Sequence, residues 1–385
     1  MPWKRTDVDE QRMSFVIRAS EAGANVSGLC REFGVSRRTG YRWLSRYRAA
    51  GSLRGLSELS RRPHRSPART PEEVEARVIG LREQYDWGGR KLRVLLRGEG
   101  IELSESTINR ILKRHGLIAS WRSHQPAVRR FERQRCNELW QMDFKGDYPL
   151  ERGRCYPLTM LDDHSRYVVG LYAVGGLDTA TVHRCLVRTF ERYGVPEAML
   201  MDHGIPWWGN SNARGLTRLS VSLLRQNIRL CFSGVRHPQT QGKVERFHRT
   251  LSEELRRRSI PHTIDAFQVR LDHFRELYNQ VRPHEALHLA VPNDAYTPSP
   301  RPYTPTPHEW EYPSGSIVRR LNSQGCLDYN TQRLFVCEAL AGERVRLECL
   351  HNTLVVQYRH MYIREIDLST GLSVTLLEPA RNHGL

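Results

Sequence analysis

The spacing of apolar residues changes twice along the chain, and each change predicts a different kind of structure. Up to about residue 118, apolar residues recur every three or four positions, which predicts amphipathic helices. From residue 139, short apolar runs alternate with helical stretches, which predicts an α/β domain. From residue 316, apolar and polar residues alternate between tight turns, which predicts short strands. We therefore expect a multidomain protein.

Residues 1–52 have the pattern of a helix-turn-helix domain. A short apolar helix ends at Gly34, and Ser36 is placed to cap a basic helix that begins at the next residue. The first residues of such a helix reach base edges in the major groove of DNA. A plain three-helix bundle is the alternative. The predicted DNA contacts of this domain are Arg37, Arg38, Thr39 and Arg42.

A basic linker, residues 53–70, leads into a second domain of the same type. Extended arginine-rich segments can follow a phosphate backbone, although a solvated linker explains these residues almost equally well. Residues 71–118 again show a helix start at Pro71 and a capped basic helix after Ser104, so we interpret them as a second helix-turn-helix domain. The predicted DNA contacts are Arg61, Arg62 and Arg65 in the linker, and Ser106, Thr107, Arg110 and Lys113 in the second domain.

The rest of the sequence predicts an α/β core and a small β domain. A connector, residues 119–138, precedes a core at 139–292. The core's predicted order of three strands, helix, strand, helix, strand, helix is typical of a ribonuclease H-like fold. Six prolines mark residues 293–315 as a linker. Residues 316–370 predict a small β-barrel, and a tail follows at 371–385.

Charge sharpens the interpretation of the N-terminal region. The 385 residues include 59 Lys and Arg against 42 Asp and Glu, for a formal net charge of +17 and a pI near 9.9. Residues 1–135 hold 29 of the basic residues and only 15 of the acidic ones. A generally arginine-rich proteome would explain part of the excess but not its asymmetry. The charge therefore predicts a polyanion-binding N-terminal region.

Several classes of protein are excluded by what the sequence lacks. No apolar run approaches the roughly 18 residues of a membrane span, and the first residues have no apolar segment of a secretory signal. The eight cysteines show neither Cys-x-x-Cys pairs nor zinc-finger spacing. We expect a cytoplasmic protein with reduced thiols and no membrane partner.

Three acidic residues are predicted to converge at one edge of the core sheet. Asp143 lies within a strand, Asp202 follows a buried strand, and Glu245 begins a long helix. Hard oxygen ligands of this kind suit Mg²⁺ or Mn²⁺. Two such ions can activate an attacking oxygen and stabilise a leaving oxygen in phosphoryl displacement. Rival carboxylates stand nearby at Asp162, Asp163, Glu253 and Glu254.

Other residues beside these acids have two possible roles. Basic side chains there are predicted to hold DNA phosphates, with simple surface charge as an equal alternative; they are Lys145, Lys243, Arg246 and Arg249. Trp207 and Trp208 would either stack on an unpaired base or fill an apolar gap, and we favour packing.

Three sequence blocks carry a resemblance to a known family. Trp140–Lys145, Met201–Gly204 and His237–Leu251 resemble the signature blocks of insertion-sequence DDE transposases with an integrase core, a core that retroviral integrases share. The segment Tyr278–Leu287 is similar to the family's segment after the core. The sequence departs from the family at His203, where asparagine is usual. Forty-two residues separate Asp202 from Glu245, a longer spacing than the retroviral one.

The resemblance implies Asp143, Asp202 and Glu245 as the catalytic and metal-binding triad, with two Mg²⁺ (or Mn²⁺) ions per active site. It implies binding to the terminal inverted repeats of an insertion sequence, strand cleavage, and strand transfer into target DNA. The implied partners are double-stranded DNA and a homodimer or larger synaptic multimer, in a bacterial cytoplasm at the nucleoid. The alternatives are a metal-dependent nuclease without strand transfer and a DNA-binding regulator with an inactive core.

Overall fold

A computed structural model describes residues 8–58, 69–118, 132–209, 215–232, 242–257 and 259–377. The chain divides into two compact units, Met1–Glu72 and Glu73–Leu385. The predicted DNA contacts of the linker, Arg61, Arg62 and Arg65, lie outside the described residues.

The first unit is a small helical domain. Its helices are α1 (Val8–Ala19), α2 (Val26–Glu32) and α3 (Arg37–Ala50). As predicted, the Ser36 side chain caps α3 by accepting from the Thr39 backbone N–H at 3.1 Å. Gly40 lets α3 approach α1 and α2, because a Cβ there would come within 2.5 Å of Cys30 Sγ and 2.7 Å of Phe15. Helix, turn and capped basic helix follow one another as the sequence predicts.

The second unit begins with three helices of similar design, α4 (Glu72–Tyr85), α5 (Gly89–Gly98) and α6 (Glu105–Arg114). The Ser104 side chain caps α6 through the Thr107 N–H at 3.2 Å. Their apolar core also receives Leu277 and Val281 from a later part of the chain. These helices are therefore packed against the segment that follows the core.

The central core is a six-stranded mixed sheet. Its strands are β1 (Trp140–Phe144), β2 (Tyr148–Pro149), β3 (Arg154–Asp162), β4 (Val168–Val174), β5 (Ala198–Met201) and β6 (Arg229–Phe232). The order is β2-β3-β1-β5-β6, with β4 paired to β3. Strand β1 runs antiparallel to β3 and parallel to β5. The core helices are α7 (Thr179–Tyr193), α8 (Arg218–Arg225), α9 (Gly242–Arg256) and α10 (Ile264–Glu276).

Alternation along β1 decides which side chains reach the candidate site. Trp140 and Met142 belong to the apolar cluster that also contains residues of α7 and α8. On the opposite face, the Gln141 side chain contacts α9, and Asp143 lies beside His248 of α9. A second apolar cluster buries the inner residues of α9 and α10 against β3 and β4. The predicted period-two alternation is thus confirmed.

The C-terminal region is an antiparallel sheet. After α11 (Pro292–Ala295), it contains the strands β7 (Ile317–Arg320), β8 (Cys326–Tyr329), β9 (Gln332–Phe335), β10 (Arg344–Leu350), β11 (Thr353–Tyr358), β12 (Met361–Asp367) and β13 (Ser373–Thr375). Five of them pair in the order β13-β12-β11-β10-β7, and β8 pairs with β9.

The predicted barrel closure is not seen in the described residues, where β7 and β13 form two open edges. The physical reason is that the core covers the apolar face. Leu347, Val356 and Ile363 belong to the same apolar cluster as Leu216 and Leu219 beside and within α8. A sheet whose apolar face is already buried has no need to curl on itself.

The proline-rich segment 293–315 makes specific contacts with the core. The Arg301 guanidinium donates to the backbone oxygens of Pro196, Gln226 and Asn227. Tyr296 stacks on Tyr167 with ring centroids 4.3 Å apart.

The predicted domain boundaries stay predictions. Across the described residues, no helix combines the length and the apolar character needed to cross a membrane.

Candidate active site

Asp143 is a largely buried carboxylate with few partners. Its Oδ1 accepts from the Phe144 N–H at 2.9 Å, and its Oδ2 lies 3.7 Å from His248 Nδ1. Burial raises the pKa of Asp143 to about 7, and the negative charges of Asp202 and Glu245 add to that rise. Asp202 and Glu245 are therefore close enough to Asp143 for their charges to disfavour its ionised form.

Asp202 follows β5 and is oriented through one of its oxygens. Oδ1 accepts from the Trp207 indole Nε1 at 2.8 Å and from the Gly204 N–H at 2.9 Å. A side chain at position 204 would not fit, because a Cβ would come within 2.8 Å of that same oxygen. Among the described hydrogen bonds, none uses Asp202 Oδ2. One oxygen is fixed, and the other is available to a ligand.

Aromatic rings form the wall behind Asp202. Trp207 is 1% exposed and stacks on Phe144 with centroids 5.2 Å apart. His203 and Trp208 meet edge to face at 4.3 Å, and Trp208 also packs on Phe232. The packing role favoured for the two tryptophans agrees with these contacts. The unusual histidine after Asp202 is part of the same aromatic wall.

Glu245 lies in the first turn of α9 and is exposed. It takes part in no hydrogen bond or ion pair among those described. The apolar stripe predicted for this helix is buried as expected, at Val244, Phe247, Leu251 and Leu255. The acid therefore stands at the solvent side of a firmly packed helix.

His248, one turn along α9, packs against the sheet beside Asp143 of β1. Its Nε2 lies 3.1 Å from the Thr159 hydroxyl. Burial lowers the pKa of His248 to about 3, with a smaller contribution from Lys145. The ring is consequently neutral at physiological pH and does not neutralise Asp143.

The rival acids at the end of β3, Asp162 and Asp163, are used differently, since each has both carboxylate oxygens bonded. Asp162 accepts from the Asn137 N–H at 2.7 Å, and from the N–H and hydroxyl of Ser165 at 2.8 and 2.6 Å. Asp163 accepts from Gln141, from the Arg133 N–H and from Lys243. Both are fully buried. Their oxygens are occupied by protein donors, as expected of acids that build a turn.

Of the rival acids on α9, Glu254 pairs with Arg257 at 3.4 Å. Glu253 is exposed, two turns beyond Glu245.

The predicted DNA contacts differ in exposure. The exposed ones are Arg37, Arg38 and Arg42 on α3, Ser106, Arg110 and Lys113 on α6, and Arg246 and Arg249 on α9. Thr39, Thr107 and Lys145 are half-buried. The Lys243 ammonium is bound to Asp163, and burial lowers its pKa to about 8. Sequence reasoning missed this pairing and the roles of Gln141 and Trp207; only the shared face of Gln141 and Asp143 hinted at one of them.

The donor set at the sheet edge fits a hard divalent cation. It offers carboxylate oxygens that have no partner among the described residues, at Asp202 Oδ2 and on Glu245, next to Asp143, whose pKa is raised by burial and then by neighbouring like charge. Within the described residues, no three His, Cys, Asp or Glu side chains are already grouped as a metal site. Glu245 is the most exposed of the three acids.

Comparison with known families agrees with this geometry. The sequence matches homeodomain-like domains at residues 6–57 and 39–112, and integrase core domains at residues 133–238 and 226–292. The integrase core matches together span β1 to α11, which includes the three predicted acids.

Similar proteins come from insertion elements and transposons. The 31.7 kDa protein of insertion element IS407 from Burkholderia multivorans is 26% identical over 254 residues, which covers 64% of this chain and 89% of that protein. The transposase for transposon Tn552 from Staphylococcus aureus is 28% identical over 137 residues, covering 32% of this chain and 27% of that protein.

Among solved structures, the HTLV-2 integrase catalytic core domain in complex with magnesium aligns at 13% identity and a TM-score of 0.34, covering 43% of this chain and 99% of that one. On the sequence matches, the chain is an insertion-element transposase-like protein that combines helix-turn-helix domains with an integrase core.

Proposed function

We propose that this protein is a DNA transposase that binds the terminal inverted repeats of an insertion sequence and catalyses strand cleavage and strand transfer into target DNA. The observation that supports this most is the set of three acids at one edge of a ribonuclease H-like sheet. Asp143 is largely buried beside the charges of Asp202 and Glu245, and neither Asp202 Oδ2 nor the Glu245 carboxylate takes part in a described hydrogen bond. Such an arrangement is costly for a folded protein unless it serves a cation.

Asp143, Asp202 and Glu245 would hold two Mg²⁺ ions, or Mn²⁺ in their place. When bound, such ions activate the attacking oxygen and stabilise the leaving oxygen of an in-line phosphoryl displacement. The protein's part is to orient the ligands. Trp207 and Gly204 fix one oxygen of Asp202, β1 holds Asp143, and α9 presents Glu245.

DNA binding is assigned to the exposed basic helices. The first residues of α3 and α6 would read base edges, and Arg246 and Arg249 would bind phosphates beside Glu245. Lys145 would also bind a DNA phosphate. Lys243 is a weaker candidate for that role because Asp163 already binds its ammonium. Joining two element ends to one target requires at least two protomers, so a homodimer or larger synaptic multimer is expected.

Two other functions remain to be separated from this one. A metal-dependent nuclease would cleave without joining. A regulator would use the helix-turn-helix domains and carry an inactive core. The three intact acids disfavour the regulator, because a core without chemistry has no use for a buried carboxylate among like charges.

A strand-transfer assay tests the proposal. Purified protein is incubated with a labelled, precleaved element end and a supercoiled target, in Mg²⁺, in Mn²⁺ or in EDTA. We expect metal-dependent joined product with the wild type and none with Asp143→Asn or Glu245→Gln. Glu253→Gln, which changes another exposed acid of α9, is the matched control and should join normally.

Metal-dependent nicking of the supercoiled target without joining would favour the nuclease. DNA binding with neither reaction in any metal would favour the regulator and contradict the proposal.

A further inference from the structure

Asp163 joins strand β1 to the start of helix α9. Its Oδ1 accepts from Gln141 Nε2 at 2.8 Å. Its Oδ2 accepts from the Arg133 N–H at 2.9 Å and from the Lys243 ammonium. Lys243 also donates to the Asp163 backbone oxygen at 3.0 Å. One fully buried carboxylate therefore binds a residue of the sheet and a residue of α9 at the same time.

Gln141 carries the connection on to the helix backbone. Its Oε1 accepts from the Val244 N–H at 3.2 Å. Val244 is the third residue of α9, and the first N–H groups of a helix have no partner within the helix. Gln141, which is 1% exposed, therefore caps α9 from the neighbouring sheet.

Asp163 decides which way the Gln141 amide points. A reversed amide would place its oxygen against the Asp163 carboxylate and its NH₂ group against the Val244 N–H. Both contacts would be repulsive, and both groups are buried, where an unmade hydrogen bond costs about 1–3 kcal/mol. The Asp163 carboxylate thus orients the Gln141 amide that caps α9 and also binds Lys243.

Both attachments fall immediately before Glu245. Lys243 is tied by its side chain and Val244 by its backbone, so the first turn of α9 is held at two successive residues. Catalytic groups need to be held within about 0.5 Å of their productive positions. A first turn that frayed or shifted would move the Glu245 carboxylate by more than that.

We propose that Asp163 is a positioning residue, which through Gln141 and Lys243 fixes the first turn of α9 and so places Glu245 for metal binding. This inference rests on the proposed function, because Glu245 must be a metal ligand for its position to matter. The competing explanation is that Asp163 only stabilises the fold, as its neighbour Asp162 does.

Asp162 supplies the matched control. It is equally buried, and its described hydrogen bonds go to Asn137 and Ser165, not to any residue of α9. Asp163→Asn removes the charge that holds Lys243. Gln141→Met keeps the side-chain volume while removing the cap, so it tests the same inference if Asp163→Asn does not fold.

The experiment measures Mn²⁺ binding to the full chain without DNA, from the electron paramagnetic resonance signal of free Mn²⁺. Thermal unfolding in EDTA is recorded for each variant, and strand transfer is assayed separately. Loss of a group that orients a metal ligand typically weakens metal binding by about 10–100-fold. We expect Asp163→Asn and Gln141→Met to raise the Mn²⁺ Kd by at least about tenfold. Asp162→Asn should unfold at a lower temperature but keep the wild-type Kd.

The outcomes separate this inference from the proposed function. Unchanged Mn²⁺ binding in both variants, or equal weakening in Asp162→Asn, would overturn the positioning role alone. A wild type that binds no Mn²⁺ would overturn both. If both variants bind Mn²⁺ more weakly while the wild type binds Mn²⁺ but joins no DNA, the positioning role is supported and the transposase function is contradicted.

Discussion

Two groups of acids lie at or beside the central sheet, and they differ in how their oxygens are used. Asp162 and Asp163 are fully buried, and each carboxylate oxygen accepts from a protein donor. Asp143 and Asp202 are less buried and Glu245 is exposed, and each of these three has at least one oxygen with no described hydrogen bond. The two groups therefore differ in both burial and bonding, and within the described residues only the second group leaves oxygens available to a ligand.

The largest expected effect separates catalysis from stability at Asp143. Asp143→Asn should lower the rate of strand transfer by at least about 1,000-fold, because a metal ligand supports several kcal/mol of transition-state stabilisation. The melting temperature in EDTA should not fall, since Asp143 has no described ion pair: the nearest described basic side chain is the neutral His248, 3.7 Å away. Calorimetry beside the joining assay checks both. A variant that melts earlier and still joins DNA would erase the distinction between the two groups.

The opposite result is expected for Asp162, whose two carboxylate oxygens both accept hydrogen bonds from the protein. Asp162→Asn replaces an acceptor by an amide that cannot accept from all of the Asn137 and Ser165 donors. We expect the free energy of unfolding to fall by about 3 kcal/mol. Denaturant unfolding measures the loss. Strand transfer by the folded fraction should keep its wild-type rate, and a specific loss of rate would show that Asp162 belongs with the catalytic acids.

An intermediate effect is expected at Trp207, which orients Asp202. Trp207→Phe keeps a ring against Phe144 but removes the indole donor to Asp202 Oδ1. The Mg²⁺ concentration for half-maximal joining should rise by about tenfold. Trp208→Phe is the control, because Trp208 packs on His203 and Phe232. Equal shifts in the two variants would assign the effect to general packing instead of to Asp202.

Local sequence chemistry predicts much of this structure. The serine caps before α3 and α6, the alternation along β1 and the apolar stripe of α9 all follow from neighbouring residues. Each is decided by the properties of a few consecutive side chains, so the sequence is sufficient to predict them.

The parts that sequence reasoning missed depend on contacts between distant residues. Lys243 is a predicted phosphate contact, and its bond to Asp163, 80 residues away along the chain, was not predicted. The C-terminal strands alternate as a barrel would, and their sheet stays open because residues around α8 cover its apolar face. Neither partner is visible from local spacing. The hydrogen bonds of the rival acids Asp162 and Asp163 were also not predictable from local spacing, because their donors include the distant residues Gln141, Asn137 and Lys243.

The smallest expected effect comes from removing one of the hydrogen bonds to Asp162, a change that should leave catalysis unaffected. Ser165→Ala removes the hydroxyl bond to Asp162 Oδ2, at 2.6 Å, and leaves the Ser165 N–H bond to that oxygen at 2.8 Å. Because the oxygen keeps one donor, we expect a loss of only about 1 kcal/mol in the free energy of unfolding. Ser252→Ala on α9, whose hydroxyl bonds the His248 backbone oxygen, is the control for removing a serine hydroxyl. If Ser165→Ala cost as much as Asp162→Asn, the hydroxyl would be the main support of this carboxylate. The contrast between the two groups of acids would then rest on one donor instead of a complete set.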